Sequence, residues 1–246
     1  MVNCAWLIFI RSSSRRLPGK CYKKIDEKTI LEHICRNMVN NNICLSDIYL
    51  CTSDRQEDEK LENLGRSIGI NVIKGDLERP VFRYFQNREV LEKYKYVSRV
   101  NGDSPFYESR IPLQALKSCA VNNISPDIIS NILYRSFPSG MSIEIYSKKY
   151  LDDTLDKFKE LQEIEHMSEI VIHASMHKDY VLEIVPKEPI PQKYMKKMTV
   201  DTQEDLLYLR DLYAKRNNSL ILKYFSEIET SLELPGLKTE TIPLDK

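Results

Sequence analysis

Glycine and tryptophan are scarce, at seven and one in 246 residues, and the glycines form neither G-x-G-x-x-G nor G-x-x-x-x-G-K-[ST]. The first absence removes the usual dinucleotide-binding turn and the second removes the Walker phosphate loop. Gly19-Lys20 is followed by Cys21, with no glycine five residues before Gly19. Net charge is also missing: 36 Lys and Arg balance 36 Asp and Glu. No general field therefore draws the chain to nucleic acid, and any anion site must be a local cluster. No apolar run approaches the roughly 18 residues that span a bilayer. The amino-terminal run has neither a basic leader nor a cleavage signal, so a cytoplasmic protein without a membrane partner is expected. The six cysteines contain no C-x-x-C pair. In a chain of this size they read as reduced, buried, small apolar side chains. Neither an internal repeat nor a Pro/Gly/Ser linker interrupts the sequence. One domain over 1–246 is expected, with about 217–246 as a peripheral, Pro-containing tail.

What is present is an ordinary globular composition, 42% apolar and 29% charged, with short apolar runs alternating with helical patterns. "AWLIFI" (5–10) reads as a strand buried on both faces. "TILEHICRNM" puts Ile30, Leu31, Ile34 and Met38 on one helical stripe. "DIYLCT" (47–52) reads as the next strand, and the charged segment 55–68 as a helix with Leu61, Leu64 and Ile68 inward. "INVIKG", a helix through "VFRYFQNREVLEKY", the strand "YVSRV" (96–100), a helix near 111–122 and "DIISNIL" follow. Beyond these, "MSIEIYS" (141–147) alternates as a strand, 148–160 forms an amphipathic helix, and "YVLEIVP" reads as a strand. "MTVDTQEDLLYLRDLY" reads as a short strand, a turn capped by Thr202, and a helix with Glu204 and Asp205 in its first turn. This rhythm predicts an α/β fold: a parallel or mixed sheet with helices on both faces.

The charge gathers in "RSSSRRLPGK" (11–20), four cations, three serines and no acid directly after the first strand. Ligands of open α/β sheets bind beyond the carboxyl ends of the strands. Arg11, Arg15, Arg16 and Lys20 there suit phosphate oxygens, with the hydroxyls of Ser12 to Ser14 and backbone N–H groups beside them. A polyphosphate calls for a divalent metal held by one or two carboxylates. Asp103 in "NGDSP" and Asp201 in "VDTQED" each follow a short apolar run, so both can point at the same sheet edge.

The motifs resemble, in order over about residues 5–213, the cytidylyltransferases that activate acidic sugars. The resemblance is to the spore-coat-polysaccharide branch, related to the CMP-Kdo and CMP-sialate synthetases. "RSSSRRLPGK", "YLCTSDRQED", "IKGDLERPVFRYFQ", "VSRVNGDSPF", "FPSGMSIEIYS", "IEHMSEIV" and "TVDTQEDL" carry it. The resemblance implies a Rossmann-like, GT-A-type nucleotidyltransferase sheet, commonly in a homodimer. It implies attack of a sugar hydroxyl on the α-phosphate of CTP, giving a CMP-sugar and pyrophosphate. The expected acceptor is a 2-keto-3-deoxy sugar acid destined for a bacterial surface glycan such as lipopolysaccharide. It further implies that Arg11, Ser14, Arg16 and Lys20 hold the triphosphate, that Asp103 and Asp201 bind Mg²⁺, and that Arg11, Lys20, Asp103 and Asp201 carry catalysis. Ser-Ser at 12–13 and "SPFYES" depart from the branch's usual pattern, which bears on the sugar pocket.

Further candidates surround this set. Thr52, Ser53 and Asp54 follow the second strand and can hydrogen-bond a base or ribose, with a plain turn as the alternative. Arg83 can face the nucleotide from its helix, and Asn101 stands beside Asp103. Glu144, Glu165 and His166 fall where an acceptor sugar is expected, although a structural role is the more common outcome for such a histidine. No side chain singles itself out as a general base. The rival readings are a sugar 1-phosphate nucleotidyltransferase using UTP, GTP or dTTP, a glycosyltransferase, and a non-catalytic nucleotide-binding module. "NGDSP" lacks the second acid of the glycosyltransferase Asp-x-Asp motif.

Overall fold

The computed structural model describes residues 3–160, 166–177, 179–186 and 189–215. Glu165 and the tail after 217 lie outside the described residues. The chain runs β1 (Cys4–Phe9), β2 (Lys24–Ile25), β3 (Lys28–Thr29), α1 (Ile30–Asn40), β4 (Ile48–Ser53), α2 (Glu59–Ile68), β5 (Asn71–Gly75) and α3 (Pro80–Gln86). It continues through β6 (Tyr96–Asn101), α4 (Arg110–Val121), β7 (Ile128–Ser130), β8 (Glu144–Ser147), α5 (Lys148–Glu160), α6 (Met167–Met176), β9 (Val181–Glu183) and α7 (Gln203–Ala214).

Seven strands form one sheet in the order β5-β4-β1-β6-β8-β7-β9. All run parallel except β8, which is antiparallel to both β6 and β7. The alternation of β1 explains its burial. Cys4, Trp6 and Ile8 enter one core with α1, α4 and α7, while Ala5 and Leu7 enter a second with α3, α5 and α6. Successive side chains of a strand point to opposite faces, so a strand covered on both sides has no polar position to spare. The expected apolar stripe of α1 is fully buried, and Thr29 caps that helix in a reciprocal box with Glu32. Among the described residues no helix is long and apolar enough to cross a membrane.

Several expectations are corrected. The helix expected across 81–94 ends at Gln86. Asn87 leaves helical geometry and its amide donates to Lys74 O, so Arg88–Leu91 continues only as a separate 3-10 turn. "MTV" is not a strand. Its backbone is held by single bonds, Met198 N to Ser139 O at 2.8 Å and Val200 N to Asp103 O at 2.8 Å. The β2–β3 hairpin was not expected, because its turn places Asp26 and Glu27 at positive φ with no glycine to announce it. Of the six cysteines, Cys44 is exposed and five are buried.

Candidate active site

The chain leaves β1, builds β4 and β5 to one side, and then returns to place β6 on the other. The carboxyl ends of β1 and β6 therefore flank the point where strand order reverses, the preferred ligand crevice of an open α/β sheet. Gly102 permits the close approach there. Its N–H donates to Phe9 O at 3.0 Å, and an added Cβ would lie 2.5 Å from Phe9 O and nearer still to Ile10 Cβ. After β1, Leu17 to Lys20 close a turn (Lys20 N to Leu17 O, 3.1 Å) with Pro18 second and Gly19 third at φ +64°. A turn with positive φ at its third position favours glycine there.

The turn delivers Lys20 into a cleft of about 610 Å³, within the range of small-molecule sites. Lys20 Nζ donates to Val200 O at 2.9 Å and pairs with Asp103 Oδ2 and Asp201 Oδ1, each at 3.3 Å. The two aspartates read from distant motifs thus converge on one ammonium. Asp201 also pairs with Arg16 at 2.7 Å and Lys197 at 3.0 Å. Burial works to raise its carboxyl pKa, but hydrogen bonds and charge from Lys197 and Lys20 outweigh burial and hold it below the ordinary value. Two carboxylates fit a hard divalent cation whose remaining ligands are phosphate oxygens and water. No cluster of three or more His, Cys, Asp or Glu able to hold a metal occurs among the described residues.

Asp201 is positioned by the start of α7. Thr202 accepts from Asp205 N at 3.2 Å, while Asp205 Oδ2 accepts from the backbone N–H groups of Asp201 and Thr202 at 2.9 Å each. Arg11, Ser14, Arg16, Arg83, Asn101 and His166 also line the cleft. Arg15 and Ser13 border it as well. Arg11 donates to Leu77 O at 3.1 Å. Arg83 is buried, with its guanidinium committed to the carbonyls of Asp76, Leu77 and Cys51. Burial lowers its pKa, and nearby Arg11 adds to that.

Three expected nucleotide contacts are turned elsewhere. Thr52 and Ser53 are fully buried and give their hydroxyls to Asp58 Oδ2, and Ser12 gives its N–H to Asp58 Oδ1 at 2.7 Å and its hydroxyl to Glu57 O. Burial raises the Asp58 carboxyl pKa, but these donors more than reverse it. A serine or threonine at a strand end finds the nearest buried acceptor, and only Asp58, four residues past the quoted Asp54, announced one. Asp54 borders a separate, smaller depression beside Asp76. The departing segment "SPFYES" leaves the site too, with Tyr107 in the core and Phe106 packed against it.

A second cavity of about 400 Å³ adjoins the cleft, sharing Arg99 and Asn101 with it. Because β8 is antiparallel, its first residue, Glu144, pairs with Arg99 and Ser130 and so reaches the edge formed by carboxyl ends. Glu144 is buried and bound to Arg99, and its other oxygen accepts from Tyr146 OH at 2.9 Å. His166 borders the main cleft rather than this cavity, with its N–H on Glu169 Oε2 at 3.2 Å. Arg99 was missed as a site residue. An arginine inside the otherwise buried strand "YVSRV" was the available signal, since a charge there needs a buried partner.

A doubly wound sheet with cations and paired carboxylates at its switch point defines a protein that handles polyphosphates, of the nucleotidyltransferase class. The chain belongs to the cytidylyltransferase family, whose profile matches residues 5–231, and is thus a CTP-dependent nucleotidyltransferase. It is 24% identical over 221 residues to the spore coat polysaccharide biosynthesis protein SpsF of Bacillus subtilis, covering 87% of this chain and 88% of that one. A cytidylyltransferase structure from Leptospira borgpetersenii superimposes with a TM-score of 0.74 at 21% identity, covering all of both chains. A CMP:2-keto-3-deoxy-manno-octonic acid synthetase complexed with CTP superimposes with a TM-score of 0.60 at 16% identity, covering 87% of this chain and 99% of that one. At these identities the superpositions establish the mixed-sheet nucleotidyltransferase fold.

Proposed function

We propose that the chain transfers CMP from CTP to a 2-keto-3-deoxy sugar acid, releasing pyrophosphate, in the synthesis of a bacterial surface polysaccharide. The observation that carries this reading is the meeting of Lys20, Asp103 and Asp201 at the switch point. The spore coat relative supports the polysaccharide context and the CMP:2-keto-3-deoxy-manno-octonic acid synthetase supports the acceptor class.

In this reading Arg11, Arg16 and Lys20 hold the triphosphate, with Ser13 and Ser14 alongside. Arg16 and Lys20, which pair with carboxylates in the free protein, turn their donors to phosphate oxygens. Asp103 and Asp201 hold Mg²⁺, which supplies charge neutralisation at the α-phosphate and leaving pyrophosphate. Asn101, common to both cavities, stands where the acceptor meets the α-phosphate. The acceptor hydroxyl oxygen bonds to the α-phosphorus as the bond to the bridging oxygen of pyrophosphate breaks, and the hydroxyl proton passes to solvent. Positioning and charge stabilisation account for most of the expected acceleration.

Two measurements test this. In a thermal-shift competition with Mg²⁺ and the four ribonucleoside triphosphates, CTP should stabilise the protein most. Pyrophosphate should then be released from CTP only when Mg²⁺ and a sugar acid are both present. Release supported by a sugar 1-phosphate and UTP, with none from CTP and any acid, would overturn the reading.

A further inference from the structure

We propose that Arg135 is the receptor for the acceptor's carboxylate and the residue that makes the enzyme select an acidic sugar. The inference rests on the function proposed above and assigns one task within it. The cavity beside the triphosphate cleft has three charged groups on its wall, Arg99, Arg135 and Glu144. Arg99 and Glu144 neutralise each other in a buried pair, with side chains 16% and 3% exposed. Arg135 has no acid and no hydrogen-bond partner among the described residues, so the cavity carries one uncompensated positive charge.

The backbone also presents Arg135 in an unusual way. Its φ is +48°, a left-handed conformation that non-glycine residues rarely adopt and that persists only where the surroundings impose it. The surroundings do so here. Just before it, the N–H groups of Leu133 and Tyr134 donate to Glu183 Oε1 at 2.9 and 3.0 Å. Asn131 ties the two ends of the segment together, donating to Met141 O at 2.9 Å and accepting from Ile143 N at 2.7 Å. The guanidinium is therefore carried on a strap fixed at both ends, while the side chain itself stays exposed and free to pair.

The rest of the wall suits a carbohydrate: Phe137 and Ile132 offer apolar surface, and Ser139 and Ser142 offer hydroxyls. The charge identifies which carbohydrate. A sugar 1-phosphate attacks through its phosphate, so its charge belongs at the α-phosphate in the main cleft and its remaining hydroxyls are neutral. A sugar acid attacks through a hydroxyl and carries a separate carboxylate, which matches an unpaired guanidinium's forked donors.

The test measures pyrophosphate release from CTP with 2-keto-3-deoxy sugar acids and, for the best of them, its neutral carboxamide. Arg135→Asn is the informative variant, because asparagine accepts a positive φ readily. The wild type should prefer the acid by roughly 10- to 100-fold in kcat/KM, the range of a charge-assisted hydrogen bond. In Arg135→Asn that preference should collapse toward unity through a raised KM for the acid, with KM for CTP unchanged, and Arg135→Lys should restore part of it. An unchanged acid-to-carboxamide ratio in Arg135→Asn, with the acid still a substrate, overturns this inference and leaves the function intact. Turnover of a sugar 1-phosphate and of no acid overturns both.

Discussion

At Asp201 three cations meet one carboxylate, and at Asp58 three residues do, through backbone and hydroxyl donors. Both carboxyls are held below the ordinary aspartate pKa in the folded protein. The sign follows from linkage: the unfolded chain binds protons first as pH falls. The stabilisation is complete above the unfolded value of about 3.9 and is lost as pH drops through the lower folded values. Urea midpoints measured from pH 7 to pH 3 should fall steeply below about pH 4. Asp58→Asn should be less stable at neutral pH but flatter below it, whereas a slope equal to that of the wild type would remove Asp58 from this account. Lys20→Met should lower kcat/KM by about 100-fold, the scale of losing one positioned charge at a reacting phosphate, and should also lower the melting temperature, because Asp103 and Asp201 lose the ammonium they share. At Gly102 a methyl group must push the ends of β1 and β6 apart, so Gly102→Ala should cost about 1–3 kcal/mol in denaturant unfolding.

At the scale of elements, α7 is worth most attention because its cap doubles as the mount for Asp201. Thr202→Ala removes the acceptor for Asp205 N and should cost about 1 kcal/mol. It should also raise the Mg²⁺ concentration giving half-maximal rate, because the N–H of Asp201 is fixed through the same Asp205 carboxylate. A stability loss with an unchanged Mg²⁺ dependence would separate the cap from the site. This cap was legible in "DTQED", as was the stripe of α1, because both depend on local spacing. The reversed direction of β8 was not legible, since strand direction depends on pairing across the sheet, and with it went the reason Glu144 reaches the site. Asp103 was legible as a post-strand carboxylate and Asp201 was singled out from a run misread as a strand, and their convergence on Lys20 had to await the fold. Thr52 and Ser53 misled because their spacing fits a ligand loop and the fate of their hydroxyls is decided by Asp58 across a turn. Arg135 gave no local signal, because only the strap's anchors reveal that its backbone is held left-handed.

For the molecule as a whole, balanced charge means that attraction for nucleotide comes from a few cations at one sheet edge. Affinity for CTP should therefore weaken with added salt far less steeply than nucleic acid binding does, because few contacts are involved. The central claim is that the sheet's switch point assembles Asp103 and Asp201 into a metal-dependent CMP-transfer site. Its most direct test is single-turnover pyrophosphate release from CTP and sugar acid in Asp103→Asn and Asp201→Asn, beside the wild type, with each variant's fold checked by thermal unfolding. Both variants should fold and release pyrophosphate at rates reduced by at least about 100-fold. Near-normal release from either folded variant would contradict that claim.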